Sequence, residues 1–214
     1  MKIFVAGASG RVGTALVNDL VQAGHQVMAG SRHPQAFSGQ DAVTSVNLDL
    51  HVPVKDLANT VGQVDAIYFT AGSRGKDLLQ TDAFGAVKLM KVARQNHIKR
   101  FVMLSSLFAL EPEKWAKTPG LDDIMDYNIA KFFADNYLVH DSQLDYTILQ
   151  PTALTEGSGI GKITIDDGKA GQIPIADVAQ TLADVLKYPR TIGQVIKLRT
   201  GSTPIETALA AVGK

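Results

Sequence analysis

Short apolar runs alternate along the chain with longer segments in which apolar residues recur every three or four positions. Runs rich in Val, Ile, Phe and Tyr predict β-strands, and the three-to-four spacing predicts amphipathic α-helices. The strand candidates are KIFVAG, HQVMAG, TSVNL, AIYFTAG, RFVMLSS, DYTILQP, KITI and QVIKLR. The helix candidates lie at about 11–23, 53–60, 76–96, 123–141, 176–187 and 203–212.

This alternation of strand and helix predicts an α/β fold with a mostly parallel sheet. Right-handed crossovers between parallel strands place helices on both faces, so we expect a Rossmann-type, doubly wound sheet of about seven strands. The length of 214 residues suits a single domain over 1–214. Two irregular stretches follow strand ends, 107–123 and 151–174. We expect the first, which holds Trp115, to act as a partial lid and the second to form a small substrate-side portion.

Composition narrows the class of function. The 21 basic and 21 acidic residues balance, with a sequence pI near 7.0, so there is no overall field for nucleic acid or an anionic membrane. The absence of cysteine excludes disulfides and thiolate chemistry, and the scattered histidines lack metal-ligand spacing, so no metal site is expected. No apolar run approaches the length of about 18 residues that spans a membrane, and no leader pattern precedes the first strand. We therefore expect a cytoplasmic protein.

The first strand runs into a glycine-rich turn, IFVAGASGRVG, with glycine at 7, 10 and 13. In a dinucleotide site Gly7 would allow a tight turn, Gly10 would let a pyrophosphate approach the backbone, and Gly13 would allow close helix-to-strand packing. The following helix would direct its free N–H groups at the phosphates. The spacing is GxxGxxG rather than GxGxxG, and the alternative is an ordinary glycine-rich turn. Because a strand precedes it and a helix and a second strand follow, dinucleotide binding is the better interpretation.

The residues after the second strand bear on which dinucleotide binds. Sites that prefer NAD place an acid here for the ribose hydroxyls, whereas this chain has Ser31 and Arg32 and no acid before Asp41. A guanidinium suits the 2′-phosphate of NADP, so NADP is favoured, and the alternative is an exposed loop arginine. His33 could add to the same pocket.

Two further strand ends carry candidate cofactor contacts. Asp49 closes the third strand, where its carboxylate could accept a hydrogen bond from an adenine amino group or could belong to a turn or a helix cap. The fourth strand ends in FTAGS, and Gly72 would let the backbone approach a cofactor.

The segment DYNIAK places Tyr127 and Lys131 four positions apart on one face of a predicted helix. A tyrosine loses its proton near pH 10 in water, and a lysine one turn away together with a positive nicotinamide ring favours the phenolate. Such a tyrosine can exchange a proton with a substrate oxygen while hydride moves to or from the cofactor. Ser105 or Ser106, at the end of the neighbouring strand, could hold the same oxygen. The alternative is a half-buried tyrosine beside a solvated lysine.

The chain resembles the atypical short-chain dehydrogenases/reductases, in the single-domain NmrA-like and epimerase-like branch. The resemblance covers nearly the whole chain and rests on GASGRVG, AGSR, Asp49, FTAG, FVMLSS, YNIAK, LDYTILQPTALT and IPIADVAQTLADVL. It implies that Ser106, Tyr127 and Lys131 carry catalysis, Ser106 being the later hydroxyl of its pair. The candidate contacts to NADP(H) are Gly7, Ser9, Gly10, Arg11, Val12, Gly13, Arg32, Asp49, Leu50, Ala71, Gly72, Ser105, Lys131, Gln150 and Pro151.

The chain departs from the family at one position. Asp82 stands where the family has an asparagine in the central helix, so a proton relay through that amide is in doubt.

The resemblance as a whole implies an NADP(H)-dependent oxidoreductase of a small carbonyl or quinone-like substrate, with two alternatives. One is a non-catalytic, redox-sensing NADP-binding protein, and the weaker one is an NAD(P)-dependent epimerase or dehydratase. The sequence leaves monomer and homodimer open.

Overall fold

The computed structural model describes residues 1–32, 34–37 and 41–213, and its centre is a nine-stranded β-sheet. In chain order the strands are β1 Lys2–Ala6, β2 Gln26–Ser31, β3 Val43–Asn47, β4 Ala66–Phe69, β5 Arg100–Leu104, β6 Asp145–Pro151, β7 Ala153–Thr155, β8 Lys162–Ile165, β9 Gln172–Pro174, β10 Gln194–Thr200 and β11 Thr203–Pro204. The α-helices are α1 Arg11–Gln22, α2 Val54–Val61, α3 Phe84–Gln95, α4 Met125–His140, α5 Ile175–Asp184 and α6 Ile205–Ala210.

The order of strands across the large sheet is β3-β2-β1-β4-β5-β6-β10-β8-β11. The first seven in this order run parallel to their neighbours. From β1 the chain winds outward first in one direction and then, from β4, in the other. This arrangement confirms the predicted Rossmann-type, doubly wound α/β fold.

The predicted number of about seven strands is too low for the sheet as a whole. The parallel part does contain seven strands, but β8 and β11 extend it beyond β10 as antiparallel neighbours. The sequence KITI was a strand candidate and forms β8. The strand β11 pairs only Thr203 and Pro204 with β8. Two residues are too few to show an alternating pattern, so the sequence carries no signal for this strand.

Helices cover both faces of the sheet, as predicted. Helices α1, α5 and α6 pack on one face, where Leu16, Leu182 and Leu209 are completely buried. Helices α2, α3 and α4 pack on the other face, around residues such as Leu89 and Leu138. The strands divide their side chains between these two cores because successive side chains point to opposite faces.

Two of the predicted helices begin in tighter or wider turns. The candidate at 76–96 starts as a π-helical segment, Leu78–Ala83, and continues as α3. The candidate at 123–141 starts as a 3₁₀ turn, Asp122–Ile124, and continues as α4. A π-helical turn inside a helix often accompanies a functional site.

The stretch 107–123 has a small hydrophobic cluster of its own, in which the indole of Trp115 is 6% exposed. The Nε1 of Trp115 donates a hydrogen bond of 2.8 Å to the carbonyl of Phe108. Its ring meets Phe132 of α4 edge-on, at 6.2 Å between centroids. Trp115 is therefore a packing group that anchors the loop on α4, and the lid stays a prediction about the loop as a whole.

The stretch 151–174 contains the two-stranded parallel sheet of β7 and β9, as well as β8. Asp177 of α5 holds the intervening loop, because its carboxylate accepts hydrogen bonds from the backbone N–H groups of Ile160 and Gly161 at 3.1 and 2.8 Å. Strands β7 and β9 have three residues each, and none of the strand candidates covers them.

Across the described ranges, no helix is long and apolar enough to cross a membrane. Within the same ranges, no group of three or more His, Asp and Glu side chains is placed to hold a metal ion.

Candidate functional site

The sequence-predicted residues follow the carboxyl ends of parallel strands and therefore meet at one edge of the sheet. In the register of the sheet, Ala6 at the end of β1 lies opposite Gly30 of β2 and Phe69 of β4. The same alignment continues through β5 and β6, where Leu104 lies opposite Leu149. The turns after all these strands consequently open on the same side, where doubly wound sheets bind their ligands.

The turn after β1 has the backbone geometry that the glycine pattern predicts. Gly7 has a positive φ of 87°, and a Cβ at this position would lie 2.5 Å from the backbone of Ala71. A Cβ on Gly13 would lie 2.2 Å from the carbonyl oxygen of Gly7. Both positions therefore require glycine for the close packing of β1, α1 and the turn after β4.

Gly10 differs from the other two glycines, because the packing of the protein restricts it less. It has an ordinary extended conformation, with φ −74° and ψ 165°, and a Cβ would meet only the oxygen of Gly7 at 3.1 Å. Gly10 is the N-cap of α1 and provides no side-chain cap for the first-turn N–H groups. Those N–H groups have no acceptor within the helix, so the turn fits a pyrophosphate.

The remaining residues of the turn contribute in different ways. The side chain of Val12 is buried in the core, so only its backbone is available to a ligand. Ser9 is exposed. Arg11 is exposed too, and its guanidinium is 2.8 Å from the carboxylate of Glu156, in the loop after β7.

Arg32 is exposed at the end of β2 and belongs to a small charged group. The carboxylate of Asp77 accepts a hydrogen bond of 2.5 Å from Thr81 and lies 2.7 Å from Nε2 of His51. The hydrogen bonds from Thr81 and His51 lower the pKa of Asp77, and the positive charge of Arg32 acts in the same direction. His33, predicted to add to this pocket, lies outside the described residues.

The candidates after β3 and β4 have different environments. The carboxylate of Asp49 accepts a hydrogen bond of 2.9 Å from the backbone N–H of His51, which is a turn contact of the kind the alternative interpretation expected. The side chain of Leu50 is buried in the core. Ala71 lines the turn against Gly7, and Gly72 is exposed.

Asp82 is completely buried in the π-helical segment. Its Oδ2 accepts a hydrogen bond of 2.9 Å from the backbone N–H of Ser73, just after β4. Its Oδ1 and the hydroxyl of Ser73 are both buried without a hydrogen-bond partner among the described residues. The carboxylate thus fixes the turn that follows β4.

Tyr127 and Lys131 share one face of α4, as predicted. The ammonium of Lys131 lies 5.6 Å from the centre of the Tyr127 ring and 5.9 Å from that of Phe69. Lys131 is 3% exposed, and its Nζ donates a hydrogen bond of 3.2 Å to the carbonyl of Leu104 at the end of β5. Tyr127 is partly exposed, and so is Ser106, two residues after Leu104. The helix therefore directs a buried cation and an accessible phenol at the predicted edge.

Ser105 and Gln150 are buried, and their side chains meet at a residue that the sequence interpretation missed. The carboxylate of Asp135 accepts hydrogen bonds from the hydroxyl of Ser105 at 2.7 Å and from the side-chain amide of Gln150 at 2.9 Å. Burial raises the pKa of Asp135 to about 6, against the opposing effects of Ser105, Gln150 and the charge of Lys131. Pro151, the last residue of β6, is buried. The signal for Asp135 was its position one helical turn beyond Lys131.

The doubly wound sheet, the glycine turn and the convergence of strand ends define a dinucleotide-binding domain of Rossmann type. The chain belongs to the NAD(P)H-binding family, whose model matches residues 7–189. The resemblance to the atypical short-chain dehydrogenases/reductases is thereby confirmed at the level of the family.

Three relatives show how far the likeness extends. A crystal structure of the oxidoreductase ylbE from Lactococcus lactis is 42% identical, with a TM-score of 0.95, over 99% of this chain and 96% of that one. The Bacillus subtilis protein YhfK, named as an uncharacterized sugar epimerase, is 34% identical over 98% of this chain and 99% of its own length. A UPF0659 protein of Saccharomyces cerevisiae is 31% identical over 96% of both chains.

Proposed function

We propose that this protein is an NADP(H)-dependent oxidoreductase that acts on a small carbonyl or quinone-like substrate. The observation that supports this most directly is the pairing of Tyr127 with the buried ammonium of Lys131 at the ligand-binding edge. The buried ammonium places a positive charge beside the oxygen that would carry a negative charge after the phenol gives its proton to a substrate.

The residues have separate roles in this proposal. When bound, NADPH supplies the hydride that reaches the carbonyl carbon. Tyr127 donates its hydroxyl proton to the substrate oxygen, so that the product is an alcohol. Lys131 stabilises the resulting phenolate, and the partly exposed Ser106 donates a hydrogen bond to the substrate oxygen.

The proposed preference for NADP rests on Arg32. It is exposed immediately after β2, and no carboxylate follows Gly30 at the position where an acid would hold the ribose hydroxyls. A guanidinium offers forked donors to a 2′-phosphate. We further propose that the protein works in the cytoplasm on a small-molecule substrate without binding nucleic acid or membrane, which the balanced charge supports.

The decisive experiment measures NADPH oxidation with a panel of aldehydes, ketones and quinones, for the parent protein and for Tyr127→Phe. This variant keeps the ring and removes one oxygen, so folding and NADPH affinity should hardly change. Turnover should fall by about 10²-fold or more, the usual effect of losing a general acid. Tyr137→Phe is the matched control, because Tyr137 lies on the same helix and packs against the core. Absence of turnover with every substrate, or equal turnover in Tyr127→Phe, would contradict the proposal.

The buried carboxylate of Asp82 supports the non-catalytic alternative. The family places an asparagine here for a proton relay, and a carboxylate held by the backbone of Ser73 has a different hydrogen-bonding capacity. Tight NADPH binding without oxidation by any substrate of the panel would count against the reductase and leave this alternative and an epimerase. The likeness to YhfK supports an epimerase as the weaker candidate. That reaction would convert a sugar substrate with no net change in NADPH.

A further inference from the structure

Helix α4 presents apolar side chains to solvent along its outer side. Met125, Ile129 and Phe133 are all exposed, and Phe133 is 59% exposed. Because they lie four positions apart, they form a stripe along successive turns of the helix. A helix that meets water normally carries polar residues on its outer side. The outer positions of α2, which covers the same side of the sheet, are the polar residues Lys55, Asp56 and Asn59.

The start of α3 extends this apolar surface. Leu79 of the π-helical segment and Phe84, the first residue of α3, are 74% and 49% exposed. Both elements pack against α4, so these side chains fall within one region of the surface. Single exposed apolar residues are normal, whereas a group of them marks an interaction site. We refer to the outer surface of residues 78–95 and 122–140 as the helical face.

Unpaired charges of opposite sign lie at the two ends of the helical face. Lys91 and Arg94 are exposed towards the end of α3, and Asp122, Asp123 and Asp126 are exposed at the start of α4. Among the described residues, none of these five side chains forms an ion pair. Both helices connect parallel neighbouring strands and therefore run in the same direction. The basic and the acidic group are consequently separated along the helices.

A second copy of this chain is the partner that fits such a surface. A twofold axis perpendicular to the helices brings two helical faces together antiparallel, so that the acidic end of each copy meets the basic end of the other. Ile129 and Phe133 lie between these ends, where the other copy would cover them. The size is also sufficient, because 22 residues of the two segments are exposed or partly exposed. A stable interface uses about 20–30 residues from each side.

Phe133 also connects the helical face to the loop 107–123. Its ring meets that of Phe132 edge-on, with 5.6 Å between the centroids. Phe132 in turn meets Trp115 edge-on at 6.2 Å, and Trp115 belongs to the hydrophobic cluster of the loop. A partner that covers Phe133 would therefore support a row of three rings that ends inside this loop.

We propose that the protein forms a twofold homodimer through the helical face, and that each copy stabilises the loop 107–123 of the other through the row of Phe133, Phe132 and Trp115. The dimer does not depend on the proposed function, because none of the candidate cofactor contacts on the helical face is needed for it. Apolar side chains supply the affinity, and the charged ends fix the antiparallel orientation.

Sedimentation velocity over a wide range of protein concentration tests the dimer. The parent should sediment as a dimer, and Phe133→Glu should weaken association by about thirtyfold or more, the effect of losing an interface anchor. Its urea midpoint should stay close to that of the parent, because the side chain is exposed. Ile129→Lys repeats the test one turn away. Ile192→Glu is the matched control, since Ile192 is an exposed apolar residue outside the helical face.

Two outcomes of this experiment would overturn the proposal. One is a parent that stays monomeric at every concentration. The other is dimerisation that is equally strong in the parent, in Phe133→Glu and in Ile129→Lys.

Charge reversal tests the orientation of the two copies. Replacing both Lys91 and Arg94 with Glu should weaken association about tenfold at low salt. Adding Asp123→Lys and Asp126→Lys to the same protein should restore it, because the reversed charges meet again across the interface. Failure of the second pair of substitutions to restore association would contradict the antiparallel arrangement.

The fluorescence of Trp115, the only tryptophan of the chain, tests the effect on the loop. Dilution that dissociates the parent should make this fluorescence more sensitive to quenching by acrylamide. Phe133→Glu should show the higher sensitivity at every concentration, and Ile192→Glu should follow the parent. Quenching that stays constant while the parent dissociates would overturn the support of the loop by the partner.

Discussion

Arg32 is the residue on which the predicted choice between the two dinucleotides depends. Its side chain is exposed after β2, and its charge reaches the carboxylate of Asp77, which Thr81 and His51 hold in place. A nearby carboxylate attracts the guanidinium and would repel a phosphate bound beside it. The arrangement therefore suits a moderate preference for NADP rather than exclusion of NAD.

Replacing Arg32 with alanine should weaken NADP binding and leave NAD binding nearly unchanged. Loss of a charge-assisted contact to the 2′-phosphate costs about 1.5–3 kcal/mol, or roughly ten- to a hundredfold in affinity. Titration of both cofactors gives the comparison, with NAD as the internal control because it lacks the phosphate. Arg94→Ala, at an exposed arginine in the last turn of α3, controls for general charge. Equal affinity of the parent for the two cofactors would refute the preference.

At the scale of elements, the turn between β1 and α1 contains glycines with two different roles. One is needed for packing, and the other is proposed to give a phosphate access to the backbone. Gly13 is required by the packing of the protein itself, whereas Gly10 has an ordinary conformation and a Cβ there would meet only the carbonyl oxygen of Gly7, at 3.1 Å. The two positions therefore predict different phenotypes for the same substitution.

Gly13→Ala should destabilise the fold, because its Cβ would lie 2.2 Å from the carbonyl oxygen of Gly7 and must push α1 away from the strand. Overpacking of this kind costs about 1–3 kcal/mol of unfolding free energy. Gly10→Ala should cost less stability than Gly13→Ala, because its Cβ would lie 3.1 Å rather than 2.2 Å from that oxygen, and it should weaken NADPH binding by crowding the proposed phosphate site. Urea unfolding and NADPH titration of both variants test the contrast. Similar stability losses in the two variants would show that the turn is only a packing feature.

Elements with a clear repeating pattern were predictable, and elements defined by distant partners were not. All eight strand candidates and all six helix candidates are present. The strands β7, β9 and β11 have three residues or fewer, and such short pairs exist because neighbouring elements present them with partners. In α4, Tyr127 and Lys131 were identifiable from a four-residue spacing. The role of Asp135 depends on Ser105 and Gln150, which are 30 and 15 positions away. Only the folded chain brings them together.

At the scale of the whole molecule, each face of the sheet carries one aspartate with a raised pKa. Asp135 is on the side of α4, and Asp19 of α1 is on the other side, where burial and the charge of Asp184 raise its pKa to about 6. Folding therefore favours the protonated form of both groups. Their ionisation makes the protein less stable as the pH rises from about 4, the value of the unfolded chain, through 6.

Asp19→Asn should make the protein more stable at pH 8 and have little effect at pH 4. The substitution removes a charge that Asp184 repels, and the gain should be about 1–2 kcal/mol after allowance for solvent screening of this half-buried site. Chemical unfolding between pH 4 and 8 measures it, and the parent should lose stability across this range while the variant loses less. If the stability of the two proteins changed with pH in the same way, the ionisation of Asp19 would not be the cause.

The strand β11 affects whether the edge of the sheet can pair with a strand from another copy of the protein. It forms one margin of the large sheet, has two residues, and passes directly into α6. One of its two residues, Pro204, has no backbone N–H to offer. A margin this short gives an incoming strand almost no ladder on which to assemble, so the sheet cannot be lengthened there by another chain. The two strands beyond β10 thus leave this margin of the sheet with little backbone on which a strand of another copy could pair.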